Sequence, residues 1–215
     1  MRQVEIFWSF RSPYSYLATP RLRALSAVYD IPFVMRPVYP IAVRIPGFFK
    51  SVNPLWPGYL MHDVPRLGAF LGVPVGRPDP DPIVMDMATG EVDAEQPYIH
   101  RLTRLGVLAS HTPQALDFFY EVSTVIWSGE QTWTDATVLA DAVGRAGFDL
   151  EAMDRDIEAR EAELEDEISR NETDQRAAGH WGVPLMVFNG EPFFGQDRID
   201  LLEWRLNEAG VPRMS

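Results

Sequence analysis

The stretch Phe10-Arg11-Ser12-Pro13-Tyr14-Ser15-Tyr16-Leu17 joins a strand to a helix, and this junction constrains the fold more than any other part of the chain. The run before it, Val4 to Phe10, is apolar and aromatic and reads as a buried strand. Ser12 at the cap position and Pro13 just inside predict a helix N-terminus. That helix is expected from Pro13 to Tyr29, with Leu17, Leu25 and Val28 at near-helical spacing. Pro20 should bend it or cost it a hydrogen bond, and Asp30 and Pro32 mark its end. Ile31 to Arg36 reads as a second strand. A strand, a crossover helix and a strand should leave the two strands parallel. The free N–H groups at the helix start, with the positive end of the dipole behind them, would stabilise an anion at the sheet edge.

The remainder completes an α/β pattern. Pro37 to Pro57 is rich in Pro, Gly and aromatics and has no clean period; such long irregular segments are usually functional or mobile. Gly58 to Leu71 is helical in spacing, and Gly72 to Pro82 is a proline-rich break. Pro97 to Gly179 reads as all helix, including a helix from Thr134 to Ala146 with Thr134 as cap and Gly147 as stop. Leu150 to Ala178 is strongly acidic and is expected to form one or two solvated helices, with Asp156/Arg160, Asp166/Arg170 and Glu172/Arg176 at i,i+4. Leu185 to Phe188 is a strand, Asn189-Gly190 a two-residue hairpin turn, and Pro192 to Phe194 the returning strand. Gln196 to Ala209 forms the last helix. The order is β-α-β, a helical block, then β-β-α. The expected organisation is a discontinuous α/β domain, residues 1–75 and 180–215, around an inserted helical domain, 76–179.

Composition excludes several functions. A net charge of −12 argues against nucleic acid as a partner. The chain has no cysteine, which rules out disulfides, cysteine metal sites and a protein-thiol redox cycle. Any thiol chemistry must come from a ligand. No leader-like segment or bilayer-length apolar run is evident, so a cytoplasmic location without a membrane partner is expected. His62, His100, His111 and His180 are scattered without metal spacing, and such lone histidines are ordinarily packing or surface residues. Trp127, Trp133 and Trp181 read as core or interface. Walker, dinucleotide and G-x-S-x-G motifs are absent from the sequence.

Ser12-Pro13-Tyr14-Ser15 stands where a thioredoxin-like chain carries Cys-x-x-Cys. Together with Tyr16-Leu17, Arg36-Pro37-Val38, Asn53-Pro54, Leu71-Gly72-Val73-Pro74, Gly182-Val183-Pro184 and Gly195-Gln196-Asp197-Arg198, it resembles the 2-hydroxychromene-2-carboxylate isomerases and kappa-class glutathione transferases, a DsbA-like branch of the thioredoxin fold. The resemblance covers roughly residues 1–75 and 175–206; the middle matches only as helical.

The resemblance implies glutathione as cofactor, with Ser12 holding its thiolate. A serine hydroxyl can donate to a thiolate without a base, and the helix N-terminus would help lower the thiol pKa. By the same resemblance Val183-Pro184 is a cis bond presenting Val183 to the cysteinyl backbone, and Gln196, Asp197 and Arg198 hold the γ-glutamyl end. Each has a plainer local reading. Ser12 can be only a cap, Pro184 only a strand-start proline, and Asp197 a cap paired with Arg198. Asn53 matches an asparagine that reaches the sulfur or the substrate. Lys50 and Arg44 could meet an acidic substrate, although solvent exposure is the ordinary expectation for each. Two departures stand out: Ser9 where the family often has an acidic residue, and Arg11 where it usually has a small or apolar one. The implied activity is glutathione-dependent isomerisation of an aromatic acid. A kappa-like transferase and a non-catalytic ligand carrier are the alternatives. The family also implies a homodimer.

Overall fold

The structure, a computed structural model, describes residues 2–86, 89–129 and 132–214. Four strands form one sheet in the order β2-β1-β3-β4. Strand β1 (Val4–Trp8) runs parallel to β2 (Phe33–Pro37) and antiparallel to β3 (Leu185–Phe188), which pairs with β4 (Glu191–Phe194). The ends of the chain therefore share the sheet, as the sequence order requires. Asn189 and Gly190 both have positive φ, 52° and 79°, which is the geometry of the expected two-residue turn.

Strand β1 alternates between two buried faces. Val4, Ile6 and Trp8 join the main core, while Phe7 packs with Val38, Leu185 and Val187 on the other side. Helix α1 (Pro13–Ser26) lies against the first face and continues through Pro20. It ends before Val28, which is half-exposed. The buried Trp8 indole fixes the packing by donating to Ser15 O at 3.2 Å and Thr19 Oγ1 at 3.1 Å.

The segment expected to be irregular contains two four-residue helices, α2 (Ile41–Arg44) and α3 (Phe48–Ser51). Helix α4 (Leu55–Leu71) begins three residues earlier than the pattern predicts. The helical block holds α5 (Ile99–Ser110), α6 (Ala115–Trp127), α7 (Ala136–Arg145), α8 (Leu150–Ala159) and α9 (Glu161–Ala177). Asp135, not Thr134, occupies the cap position of α7, and Gly147 supplies the positive φ of 88° after it. The last helix is split into a 3-10 turn, Gln196–Arg198, and α10 (Ile199–Glu208).

The acidic region departs most from expectation. It makes two helices, but α9 buries Leu164, Ile168, Asn171 and Gln175 against the rest of the molecule. Its Glu172 also turns inward, accepting the Tyr39 N–H at 3.2 Å. The main core is continuous from the sheet into the helical block. Phe10 stacks on Phe119 at 5.2 Å, and the Trp127 indole donates to Phe10 O at 2.9 Å. Helix α6 thereby holds the backbone immediately before Arg11 and Ser12. Among the described residues no helix is long and apolar enough to cross a membrane, and no group of three His, Asp or Glu could hold a metal.

Candidate active site

A cavity of about 560 Å³ opens where the β1–α1 junction, the 40–60 segment and the loop before β3 converge. Ser12 lies on its wall. As N-cap of α1 it has extended backbone, φ −96° and ψ 113°, and its Oγ accepts the Ser15 N–H at 3.1 Å. The same hydroxyl is 3.4 Å from Val183 O, to which it can donate. Capping and facing the far loop are therefore compatible roles. The Val183-Pro184 bond is cis. The Val183 N–H has no hydrogen-bond partner among the described residues.

Asn53 also lines the cavity, exposed, between α3 and α4. Its Oδ1 accepts the Leu55 N–H at 3.0 Å and so begins α4. Gln196, Asp197 and Arg198 do not line the cavity; they follow β4, whose Phe194 does. Asp197 and Arg198 pair with each other at 3.0 Å on the surface. Gln196 is buried, and its carbonyl accepts the Arg21 guanidinium at 2.9 Å.

Of the two residues that departed from the family pattern, Arg11 has a structural partner and Ser9 does not, among the described residues. Arg11 forks onto Asp81 with bonds of 3.1 and 3.0 Å and lies 5.5 Å from the Phe49 ring centroid. It ties the junction to the segment just after Asp79-Pro80, a second cis bond that the sequence did not signal. Ser9 lines the cavity with its Oγ buried and without a partner among the described residues. Tyr14, beside Ser12, donates to Asp63 Oδ2 at 2.7 Å, and Tyr59 donates to Asp63 Oδ1 at 3.1 Å. Burial and the Asp63 carboxylate push the Tyr14 phenol well above its ordinary range. Burial works against the Asp63 anion, but the bonds from Arg66, Tyr14 and Tyr59 hold its carboxyl below the usual value.

Arg44 corrects an expectation. Its side chain is 2% exposed, not solvated. Nη1 donates to Gln175 Oε1 at 2.8 Å and Nη2 to Trp181 O at 3.0 Å, while Gln175 Nε2 donates to Gly182 O at 2.8 Å. Two successive carbonyls ahead of Val183 are thus braced from α2 and α9. Glu172 lies 3.9 Å from Arg44 Nε, and burial raises its carboxyl pKa. Lys50, by contrast, is exposed and pairs with Glu91 at 2.8 Å.

Much of the remaining wall is aromatic. Phe48 contacts Phe49, Trp56 and Trp181 at centroid distances of 5.5, 6.3 and 5.8 Å. Trp127 and Trp133 are core residues as expected, but Trp181 is 49% exposed and lines the cavity. Sequence reasoning also passed over His180, which lines it too. The available signal was its position four residues before Pro184, where the loop turns into β3. A wall built from Phe48, Trp56 and Trp181, with Ser12 at its edge, can hold a flat apolar ring and place a polar donor beside it.

No curated protein sequence matches the chain significantly. Among solved structures, a 2-hydroxychromene-2-carboxylate isomerase is similar, with a TM-score of 0.68 and 20% identity over 96% of this chain and 95% of that one. The cytosolic disulfide reductase DsbM of Pseudomonas aeruginosa, also solved with GSH, has a TM-score of 0.62 and 17% identity over 96% of this chain and 99% of that one. At such identities the likeness is one of fold. The model of the DsbA-like thioredoxin domain matches residues 3–207, spanning the sheet, the helical block and the α1 junction alike, and the chain belongs to that family.

Proposed function

We propose that this protein is a glutathione-dependent isomerase of the 2-hydroxychromene-2-carboxylate type. One observation carries the reading: in a chain without cysteine, Ser12 Oγ sits at a helix N-terminus, 3.4 Å from the carbonyl of a cis-proline loop, on the wall of an aromatic cavity. The residues fit glutathione. The unpartnered Val183 N–H and its carbonyl offer an edge for an extended peptide, and Ser12 offers a donor where the cysteinyl sulfur would lie. When bound, glutathione supplies a thiolate that adds to the substrate and leaves again, so no net redox change occurs. Ser12 stabilises the anion by hydrogen bonding, assisted by the α1 dipole. Phe48, Trp56 and Trp181 orient the ring and limit water. Asn53 contributes its side-chain amide at the mouth. Gln196, Asp197 and Arg198 take the γ-glutamyl end only if the tripeptide extends past Phe194 to the start of the 3-10 turn.

Replacing Ser12 by Ala removes one donor to a developing or resident anion, for which losses of about 10²–10³-fold in turnover are typical. The bound thiol should also ionise at a higher pH, read by thiolate absorbance. Parental turnover by the variant would defeat the assignment. Product analysis with a hydroxychromene and with an aryl halide separates isomerisation from conjugation.

A further inference from the structure

The His180 ring stacks on Phe194 at 3.7 Å between centroids with planes 24° apart, and on Trp181 at 5.5 Å and 15°. Its Nδ1 accepts the Gly182 N–H at 2.9 Å. A backbone N–H can donate only to a nitrogen with a free lone pair, so Nδ1 is unprotonated and the neutral ring carries its proton on Nε2. Burial holds the imidazole pKa below its ordinary range. Protonating Nδ1 would further require breaking the Gly182 bond. Nε2 has no hydrogen-bond partner among the described residues, yet it is not one of the buried atoms lacking one, so it keeps accessible surface.

Several other polar side chains on the wall are already committed. Arg11 is held by Asp81, Tyr14 by Asp63, and the Arg44 Nη atoms by Gln175 and Trp181 O. Asn53 keeps amide hydrogens, but it sits on an exposed segment. His180 differs in being fixed by two rings and a backbone bond, four residues before the cis-proline. A donor that needs no reorganisation is the kind that stabilises developing charge well. A neutral imidazole suits this role because it donates without transferring its proton.

We propose that His180 is a catalytic hydrogen-bond donor of this site, giving its Nε2–H to the aromatic oxygen on which negative charge develops. The inference rests on the proposed function for the reaction, though not for the donor itself. In ring opening, the C–O bond breaks and its electron pair moves to the aromatic oxygen. The neighbouring hydroxyl becomes the ketone and releases a proton, which ends on that oxygen. His180 lends a hydrogen bond throughout and keeps its own proton.

The test uses the full chain, 4-nitrophenol as probe and no glutathione. Absorbance titration should show the bound phenol ionising at a lower pH than the free one. His180→Phe keeps a ring for the stack and removes the donor; it should weaken nitrophenolate binding about tenfold, the scale of one charge-assisted hydrogen bond, and leave nitrobenzene binding unchanged. His180→Gln, which retains an N–H donor, should recover part of the loss and serves if the Phe variant fails to fold. With glutathione and a hydroxychromene, kcat should fall about 10²-fold in His180→Phe while glutathione affinity stays constant. No downward shift of the bound phenol in the parent, or the same shift in both variants as in the parent, overturns the donor. So does a kcat that falls as the imidazole loses a proton, which would make imidazolium the active form. A shift that depends on His180 in a protein with no hydroxychromene turnover upholds the donor and rejects the isomerase reading. Turnover unaffected by His180→Phe does the reverse.

Discussion

Replacing Arg44 by Met tests the brace behind the cis-proline loop. The side chain is 2% exposed, and methionine retains much of its apolar stem. The substitution removes a charged donor from Gln175 Oε1 at 2.8 Å and from Trp181 O at 3.0 Å, and it takes away the cation 3.9 Å from Glu172. Hydrogen bonds to charged groups contribute about 1.5–3 kcal/mol each, and removing one member of a buried pair costs about 3–5 kcal/mol. These overlap and do not add; the 3.9 Å separation from Glu172 places the expected loss near the lower bound, about 3 kcal/mol at pH 7. For a chain of this size that is a fall of about 6–12 °C in Tm. The pH dependence has a definite sign. The Glu172 carboxyl is raised by burial, so its contribution favours folding below the unfolded value and is lost as pH rises through the folded one. Without Arg44 its pKa should rise further. The penalty of Arg44→Met should therefore shrink as pH falls from 7 toward 5, because a protonated Glu172 needs no cation. Guanidinium denaturation at the two pH values reads both effects. A loss under about 1 kcal/mol at pH 7, or one that grows on acidification, would refute the brace. Arg44→Lys should recover only part, since an ammonium cannot fork to both partners.

Asp63→Asn should lower the Tyr14 phenol pKa, measured by ultraviolet titration, because the carboxylate that raises it would be gone. The depressed Asp63 carboxyl contributes stability above its unfolded pKa and loses it as pH falls through the folded value; the Asn variant should lack that part of the acid limb. Gly182→Ala places a Cβ 2.5 Å from Phe194 Cε2 and 3.0 Å from His180 Cε1. The phenyl ring must leave its stack, so a loss of about 1–3 kcal/mol in denaturation is expected, together with weaker nitrophenolate binding.

The sheet was legible because its signals are local. The apolar run of β1, the turn at Asn189-Gly190 and the cap at Ser12 each act within a few residues. The 37–57 segment was read as irregular because its helices, α2 and α3, are only four residues long and too short for a periodic signal. The site was legible only in part. Ser12, Asn53 and Val183 do meet on one cavity, but they were identified through family motifs. Arg44 and His180 carry no motif. Arg44 is buried by contacts 131 and 137 residues away in sequence, the first on an acidic helix whose composition reads as solvated and the second in the loop after it. His180 is defined by a tautomer that depends on a single backbone bond to Gly182. Neither fact is encoded within a window that periodicity can scan.

The absence of cysteine decides how far fold likeness extends into function. In this chain a helix N-terminus faces a cis-proline loop, and a cysteine at the helix cap would have its pKa lowered there. Here the cap is Ser12, with its Oγ 3.4 Å from Val183 O. A hydroxyl so far from ionisation gains little from the same field. The field can act only on an anion or an acidic group that arrives from outside. Likeness to a disulfide reductase therefore brings the scaffold but not its reaction, because this chain has no thiol to cycle. What remains is a helix N-terminus capped by Ser12 beside an aromatic cavity, the corner at which the proposed reading places a glutathione thiolate. Restoring a thiol tests that logic. Ser12→Cys should give a cysteine with a pKa below the free value of about 8.5, measured by the pH dependence of alkylation. An alkylation pKa at or above that value would show that the junction lacks the field on which the Ser12 assignment depends.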